Sequence, residues 1–157
     1  MSPQLDYNEM VASVKGGLAD VGKNDIVSEV SAADMNFGIG VDKLATGLIA
    51  VPAATGFLFG GIVVQTLKDI PRATGVALHE DGDAVPVLKK GRIWVYSEQA
   101  HDPTDPVYLR HTVNAALNPG DFRIDADTAK ADDVSAWARW VGVTTAAGLA
   151  ELEINIP

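Results

Sequence analysis

The sequence contains no cysteine among its 157 residues. That excludes a disulfide framework, a thiolate metal site and a cysteine nucleophile. Aromatic residues are sparse at 6%, and the basic residues number 12 against 21 acidic ones, a formal charge of −9. A nucleic-acid binder needs a basic stripe to neutralise phosphates, and an anionic membrane surface makes the same demand, so both partners are disfavoured. The plain reading of the negative charge is solubility; the sharper one is an outer surface that repels copies of itself or DNA. No apolar run reaches the about 18 residues of a membrane span. The longest, residues 48–64, is broken by Pro52, Thr55 and three glycines. The first residues, Met1-Ser2-Pro3-Gln4-Leu5-Asp6, lack the basic and apolar regions of a signal peptide, so synthesis in a cytoplasm is expected.

Chemistry-bearing motifs are equally scarce. No G-x-S-x-G elbow occurs, the P-loop pattern is absent, and Gly38-Ile39-Gly40 lacks the third glycine of a dinucleotide fingerprint. His79, His101 and His111 stand alone, outside any H-x-x-x-H spacing, and each reads as a surface or satisfied sheet residue. Glu80-Asp81-Gly82-Asp83 is the densest acidic cluster. Asp81 and Asp83 have the i, i+2 spacing of a calcium loop, but no Glu follows at the twelfth position, and Asp-Gly favours a solvated hairpin turn. No catalytic, cofactor or metal residues are assigned.

What the sequence does contain is strand and turn chemistry. Hydrophobic residues make up 47%, enough for a core, and Gly and Pro, 15 and 8 in number, cluster between apolar runs. Residues 82–114 read as three strands. Val85-Pro86-Val87-Leu88 and Arg92-Ile93-Trp94-Val95-Tyr96-Ser97 are separated by Lys89-Lys90-Gly91, read as a tight turn, and a loop with two prolines leads into residues 107–113. Further strands are expected at 26–30, 36–41, 47–51, 57–65 and 137–143. Pro119-Gly120-Asp121 and Thr145-Ala146-Ala147-Gly148 read as turns, and 126–133 as an exposed loop or one helical turn. The last strand alternates most clearly: Ala150, Leu152, Ile154 and Ile156 share one face, Glu151, Glu153 and Asn155 the other. Residues 2–15 are the one helical candidate, with Leu5, Met10, Val11 and Val14 as a partial apolar face. They read either as an ordinary N-terminal helix or frayed tail, or as an arm that folds against a neighbouring subunit. The expected architecture is therefore all-β, a sandwich or jelly-roll-like barrel at 21–157, with an N-terminal arm or helix at 1–20.

The residue order Gly82-Asp83…Val85…Val87-Leu88…Lys90-Gly91…Ile93-Trp94-Val95, then a loop and Asp105-Pro106-Val107-Tyr108, resembles the structural cement, or head-decoration, proteins of tailed bacteriophages. Gly16-Gly17-Leu18-Ala19-Asp20, Phe37-Gly38-Ile39-Gly40-Val41, Phe59-Gly60-Gly61-Ile62-Val63-Val64, Pro119-Gly120-Asp121-Phe122 and Gly148-Leu149-Ala150-Glu151-Leu152 match further landmarks of that family, in family order. The resemblance implies a non-enzymatic virion protein on the capsid exterior that clamps neighbouring major capsid proteins. It also implies self-association as a dimer or trimer, with a dimer preferred. Leu5, Tyr7, Met10 and Val11 on the arm, together with Trp140 beside Arg139, are the expected contact residues. Trp94 and Tyr96 fall on one face of their strand; Trp94 reads as a core residue in preference to an interface one, and Trp140 as either. The alternative functional reading is a tail-associated or receptor- and glycan-binding β-module.

Overall fold

The structure, a computed structural model, describes residues 14–20, 22–65 and 79–157. The helical candidate at 2–15 falls almost wholly outside them. Within the described residues every regular element is a strand: β1 (Asp25–Val30), β2 (Gly40–Lys43), β3 (Ile49–Ala50), β4 (Phe59–Val63), β5 (Ala84–Ser97), β6 (Tyr108–Arg110), β7 (Phe122–Arg123), β8 (Ala131–Asp133), β9 (Ala138–Trp140) and β10 (Gly148–Asn155). They form one branched sheet along the path β3-β2-β4-β5-β7-β6-β8, with β1 and β10 also paired to β5 and β9 to β10. All pairings are antiparallel except β5 with β7. The all-β expectation holds, and the sheet does not close into a barrel: its path ends on β3 and β8, strands of two and three residues.

The largest departure from the sequence reading is β5. Lys89-Lys90-Gly91 is not a turn; the chain runs through it as one strand of 14 residues. The residues look like a turn because they pair lysines with a glycine, yet they form an irregularity inside the strand. The β1 register slips between Asp25 and Ile26, opposite Lys90 and Leu88, and Gly91 has φ +133°. A Cβ at Gly91 would displace the Asn24 amide, 2.0 Å away, and at this φ any side chain would be strained. Lys89, unusual in a strand interior, is satisfied by Glu29 and the Gly60 carbonyl.

One edge of β5 is lined first by β1 and then by β10. The other meets β4, then residues 16–19, then β7. Gly16 N–H donates to the Trp94 carbonyl (2.7 Å), Trp94 N–H to Gly17 O (2.9 Å) and Ala19 N–H to Arg92 O (2.9 Å). The end of the segment expected as an arm therefore adds a short strand-like rung. Gly16 makes this possible, since a Cβ there would sit 2.7 Å from Phe37 Cβ and 2.8 Å from Gly38 N. Lys15 Nζ then reaches Asp121 Oδ1 at 2.5 Å, pinning the segment to the residue before β7.

The core has two parts. Phe59, Ile62, Leu88, Ile93, Val95, Leu109, Phe122, Trp140, Leu152 and Ile154 belong to the larger cluster; Met35, Phe37, Ile39, Val41, Ile49, Val63, Val85 and Val87 form the smaller one. Adjacent residues Ile62 and Val63, and Val87 and Leu88, go to different clusters. Consecutive strand side chains point to opposite faces, so β4 and the first half of β5 are buried on both sides. That is why these segments read as continuous apolar runs, whereas β10 alternates.

Candidate interaction surface

The outer face of β5, β10 and β9 follows from their register. Tyr96 lies opposite Leu149, Trp94 opposite Glu151, Arg92 opposite Glu153, and Glu153 opposite Arg139. Directly paired residues share a face, so these side chains form one continuous surface turned away from the core residues Ile93, Val95, Ala150 and Leu152. Trp94 and Tyr96 are half-buried and Leu149 is 40% exposed. One end of the face is thus aromatic and apolar. The other is ionic: Arg92 lies 3.2 Å from Glu153 and 3.6 Å from Glu151, and Arg139 3.0 Å from Glu153. Partial burial works against ionised Glu153, yet Arg139 and Arg92 hold its pKa below the usual value. An apolar patch beside a charged rim is the composition of a protein-contact surface.

Trp140, expected at an interface beside Arg139, is 1% exposed. Its indole stacks on His101 at 4.0 Å between ring centroids and donates Nε1–H to the Pro106 carbonyl at 3.2 Å. The strand here is shorter than read, Ala138–Trp140, and Trp137 sits in the preceding turn. Trp137 packs partly buried on the same core that holds Trp140. Leu5, Tyr7, Met10 and Val11 lie outside the described residues.

Of the two places expected for the histidines, surface or sheet, the surface is excluded; His79 and His101 form β-bridges to Met35 and Thr144. His79, His101 and His111 are 0%, 4% and 4% exposed, so all three are interior residues. His79 packs edge-on against Phe37, and His111 Nδ1 pairs with Thr112 Oγ1 at 2.9 Å. Burial lowers the pKa of His101 against the opposing pull of Asp105 and Asp102. A folded-state value below the ordinary histidine value of 6.5 means the unfolded chain binds the proton first as pH falls. The stability of the neutral form is complete above about 6.5 and is lost as pH drops from there through the folded pKa. Thermal melting across pH 7.5 to 5.5 is expected to show this loss, and His101→Phe, which keeps a ring against Trp140, is expected to flatten it. Equal slopes in both proteins would reject the assignment.

The acidic cluster Glu80-Asp81-Gly82-Asp83 is a turn, as expected, but not a hairpin: His79 before it bridges Met35, and β5 after it pairs with β1. Gly82 has φ +84°, and the Asp83 carboxylate accepts the Glu80 N–H at 2.9 Å.

Sequence reasoning missed the most concentrated polar feature, a buried charge network where β5, β7 and β6 meet. Glu98 follows β5, Arg110 ends β6 and Arg123 ends β7. The Glu98 carboxylate, 1% exposed, accepts two bonds from Arg110 at 2.5 and 2.7 Å and one from Arg123 at 2.8 Å. Asp127 accepts from Arg110 at 2.6 Å and from Asn114 at 2.9 Å, and lies 3.2 Å from Arg123. Asn114 and then Arg110 hold its pKa below the carboxylate range, and the Arg110 pKa is raised, chiefly by Glu98. Segment 126–133, expected as a loop or helical turn, is instead a left-handed turn followed by β8. Asp127, Thr128 and Ala129 have φ of +42°, +56° and +63°. Each such residue costs about 1–2 kcal/mol, a strain offset by the bonds Asp127 makes. Arg110 is wholly buried and Glu98 nearly so. Both are consumed in mutual contacts, so the network is a structural staple.

The arrangement defines an all-β structural domain with its strongest polar groups turned inward and an aromatic-ionic surface outside. The chain belongs to the phage structural cement proteins: the family model described as structural cement protein (E217 gp24/Pam3 gp6) matches residues 3–155. A solved structure described as the capsid of Myoviridae Phage XM1 has the same fold, with a TM-score of 0.67 at 20% identity, covering 94% of this chain and 96% of that one. No curated protein matches the sequence. Family membership gives the chain a structural role in a phage capsid, in association with capsid proteins in the virion.

Proposed function

We propose that this protein is a non-enzymatic cement that binds the outer surface of the phage head and clamps neighbouring major capsid proteins. The observation that carries this reading is the family match across nearly the whole chain. The outer face of β5, β10 and β9 supplies a surface suited to it, with Trp94, Tyr96 and Leu149 as apolar anchors and Arg92, Arg139 and Glu151 at the rim. In this reading Leu5, Tyr7, Met10 and Val11, in the sequence before Gly16, serve as apolar anchors for a neighbouring subunit. The burial of β4 and the first half of β5 on both faces supports a sandwich-like domain that stays rigid while its surface and arm make contacts. Many weak contacts repeated over a lattice act by avidity, so each copy needs only modest affinity.

The test is co-sedimentation of the purified protein with mature shells lacking it, together with shell melting. Saturation at a fixed ratio to the major capsid protein, with a more heat-resistant shell, is the expected result. Trp94→Ala is expected to weaken binding about tenfold or more, the usual effect of truncating an aromatic anchor, while remaining folded. Absence of binding to both expanded and unexpanded shells would overturn the reading. Glycan binding by the isolated protein would then favour a receptor-binding module.

A further inference from the structure

We infer that Lys15 and Asp121 are a self-modification site, at which Nζ and Cγ join in an isopeptide bond that fastens the segment docked at Gly16 to the residue before β7. Lys15 Nζ lies 2.5 Å from Asp121 Oδ1. The carbon bonded to that oxygen therefore stands at about the 3–3.5 Å of a near-attack arrangement. Both backbones are held in place. Gly16 N–H donates to the Trp94 carbonyl and Gln65 N–H to the Gly16 carbonyl, each at 2.7 Å. Across the β6–β7 pair, Arg110 N–H donates to the Asp121 carbonyl at 3.0 Å. The Lys15 stem packs against Gly38, where a Cβ would collide with its Cγ. Among the described residues neither the ammonium nor the carboxylate has another hydrogen-bond partner, so the two groups are aimed at each other alone.

The surroundings favour the reactive form of the pair. Asp121 is only 6% exposed, and burial raises its pKa against the opposing pull of Lys15, with the Glu98 charge adding to the rise. A buried carboxylate and ammonium are destabilised as ions, so one proton passing from Nζ to Oδ1 leaves a neutral amine beside a neutral carboxyl. The Nζ lone pair then attacks Cγ. Asp121 alternates in phase with Arg123 and is paired with Arg110, so it lies on the face of the buried charge network. The fixed positive charge of Arg110, which Asp121 feels, favours the oxyanion that forms. A second Nζ proton passes to the departing oxygen, the Cγ–O bond breaks, and water leaves. The balance is an ammonium and a carboxylate going to one amide and one water, with no oxidant or co-reactant. Lys15 is 32% exposed, which gives that water a way out.

The bond ties positions 106 apart, so load entering through the residues before Lys15 reaches the sheet through a covalent link. The test is intact mass and tryptic mapping of the isolated full-length protein, incubated to constant mass and then denatured. Most of the protein is expected to be lighter than its sequence by one water. The peptide containing Lys15 is expected to run on uncut to Lys23 and to be joined to the peptide that ends at Arg123. Lys15→Arg keeps the ion pair but has no amine to acylate. It is expected at full mass, and to migrate more slowly than wild type on a denaturing gel because the long loop is no longer closed. A folded wild-type protein found mostly at full mass, or a missing water that persists in Lys15→Arg, would overturn the inference. No shell enters this measurement, so its failure and the failure of the cement role are distinguishable.

Discussion

Glu98→Ala is expected to lower stability by about 3–5 kcal/mol, the usual cost of removing one partner from a buried ion pair. At this chain length that is a fall in Tm on the order of 10 °C. The loss exceeds that of three ordinary hydrogen bonds because of what remains: Arg110, with a wholly buried side chain, and Arg123, 7% exposed, would face one another across the vacated site. Asp127 still contacts both guanidinium groups, which places the effect nearer the lower end of the range. Glu98→Gln keeps the shape but loses the charge, and should fall between wild type and alanine. Replacing Glu98, Arg110 and Arg123 together with apolar residues of similar volume should be much milder than Glu98→Ala, since no uncompensated charge is left buried. Guanidinium unfolding masks ionic terms, so urea titration followed by circular dichroism is the suitable measurement. A loss below about 1 kcal/mol for Glu98→Ala would show that water reaches the site.

The network also shows where the sequence stops being legible. Strand content was readable because it depends on local pattern: β1 and β10 lie within a residue or two of their expected places, and the turns at Pro119-Gly120 and Glu80–Asp83 depend on residues adjacent in sequence. Glu98, Arg110 and Arg123 are separated by 12 and 25 positions from Glu98 onward. They meet only because β7 inserts between β5 and β6, a two-residue strand that local pattern does not reveal. The one available signal was an arginine or glutamate at the end of each of three apolar runs. The Lys89-Lys90-Gly91 error has a different origin. Local propensity for a turn was overridden by long-range pairing, with β1 and β10 dividing one edge of β5 where Gly91 permits the handover. The histidines were legible only as surface or sheet residues, and burial decided between the two, because an imidazole packs as a flat apolar ring in the interior as readily as it sits on a surface.

The outer face was legible in part. The alternation of Arg92, Trp94 and Tyr96 against Ile93 and Val95 placed the first three on one side, but which side faced the core depended on β10 and its Glu151 and Glu153. Once β10 is paired to β5, its half-buried acids and the β5 aromatics share a face, and Trp94, which the sequence reading put in the core, lies on the outward face while Trp140 is buried.

Trp140→Ala tests that reassignment and carries the second large effect. Truncating a buried tryptophan costs about 3–5 kcal/mol in lost transfer energy and the cavity left behind. Here the cavity opens beneath β9, removes the stacking partner of His101, and strips the Pro106 carbonyl of its donor. Trp140→Phe restores part of the packing but not the hydrogen bond, and should recover more than half of the loss. Measured on the folded fraction, shell affinity is expected to be unchanged by either substitution, since an indole 1% exposed has no surface to offer a partner. Trp94→Ala is the mirror case, with a small change in Tm and a large change in binding. If Trp140→Ala instead left Tm intact and abolished shell binding, the indole would have to turn outward on the capsid, and His101, stacked against it, would have to move as well.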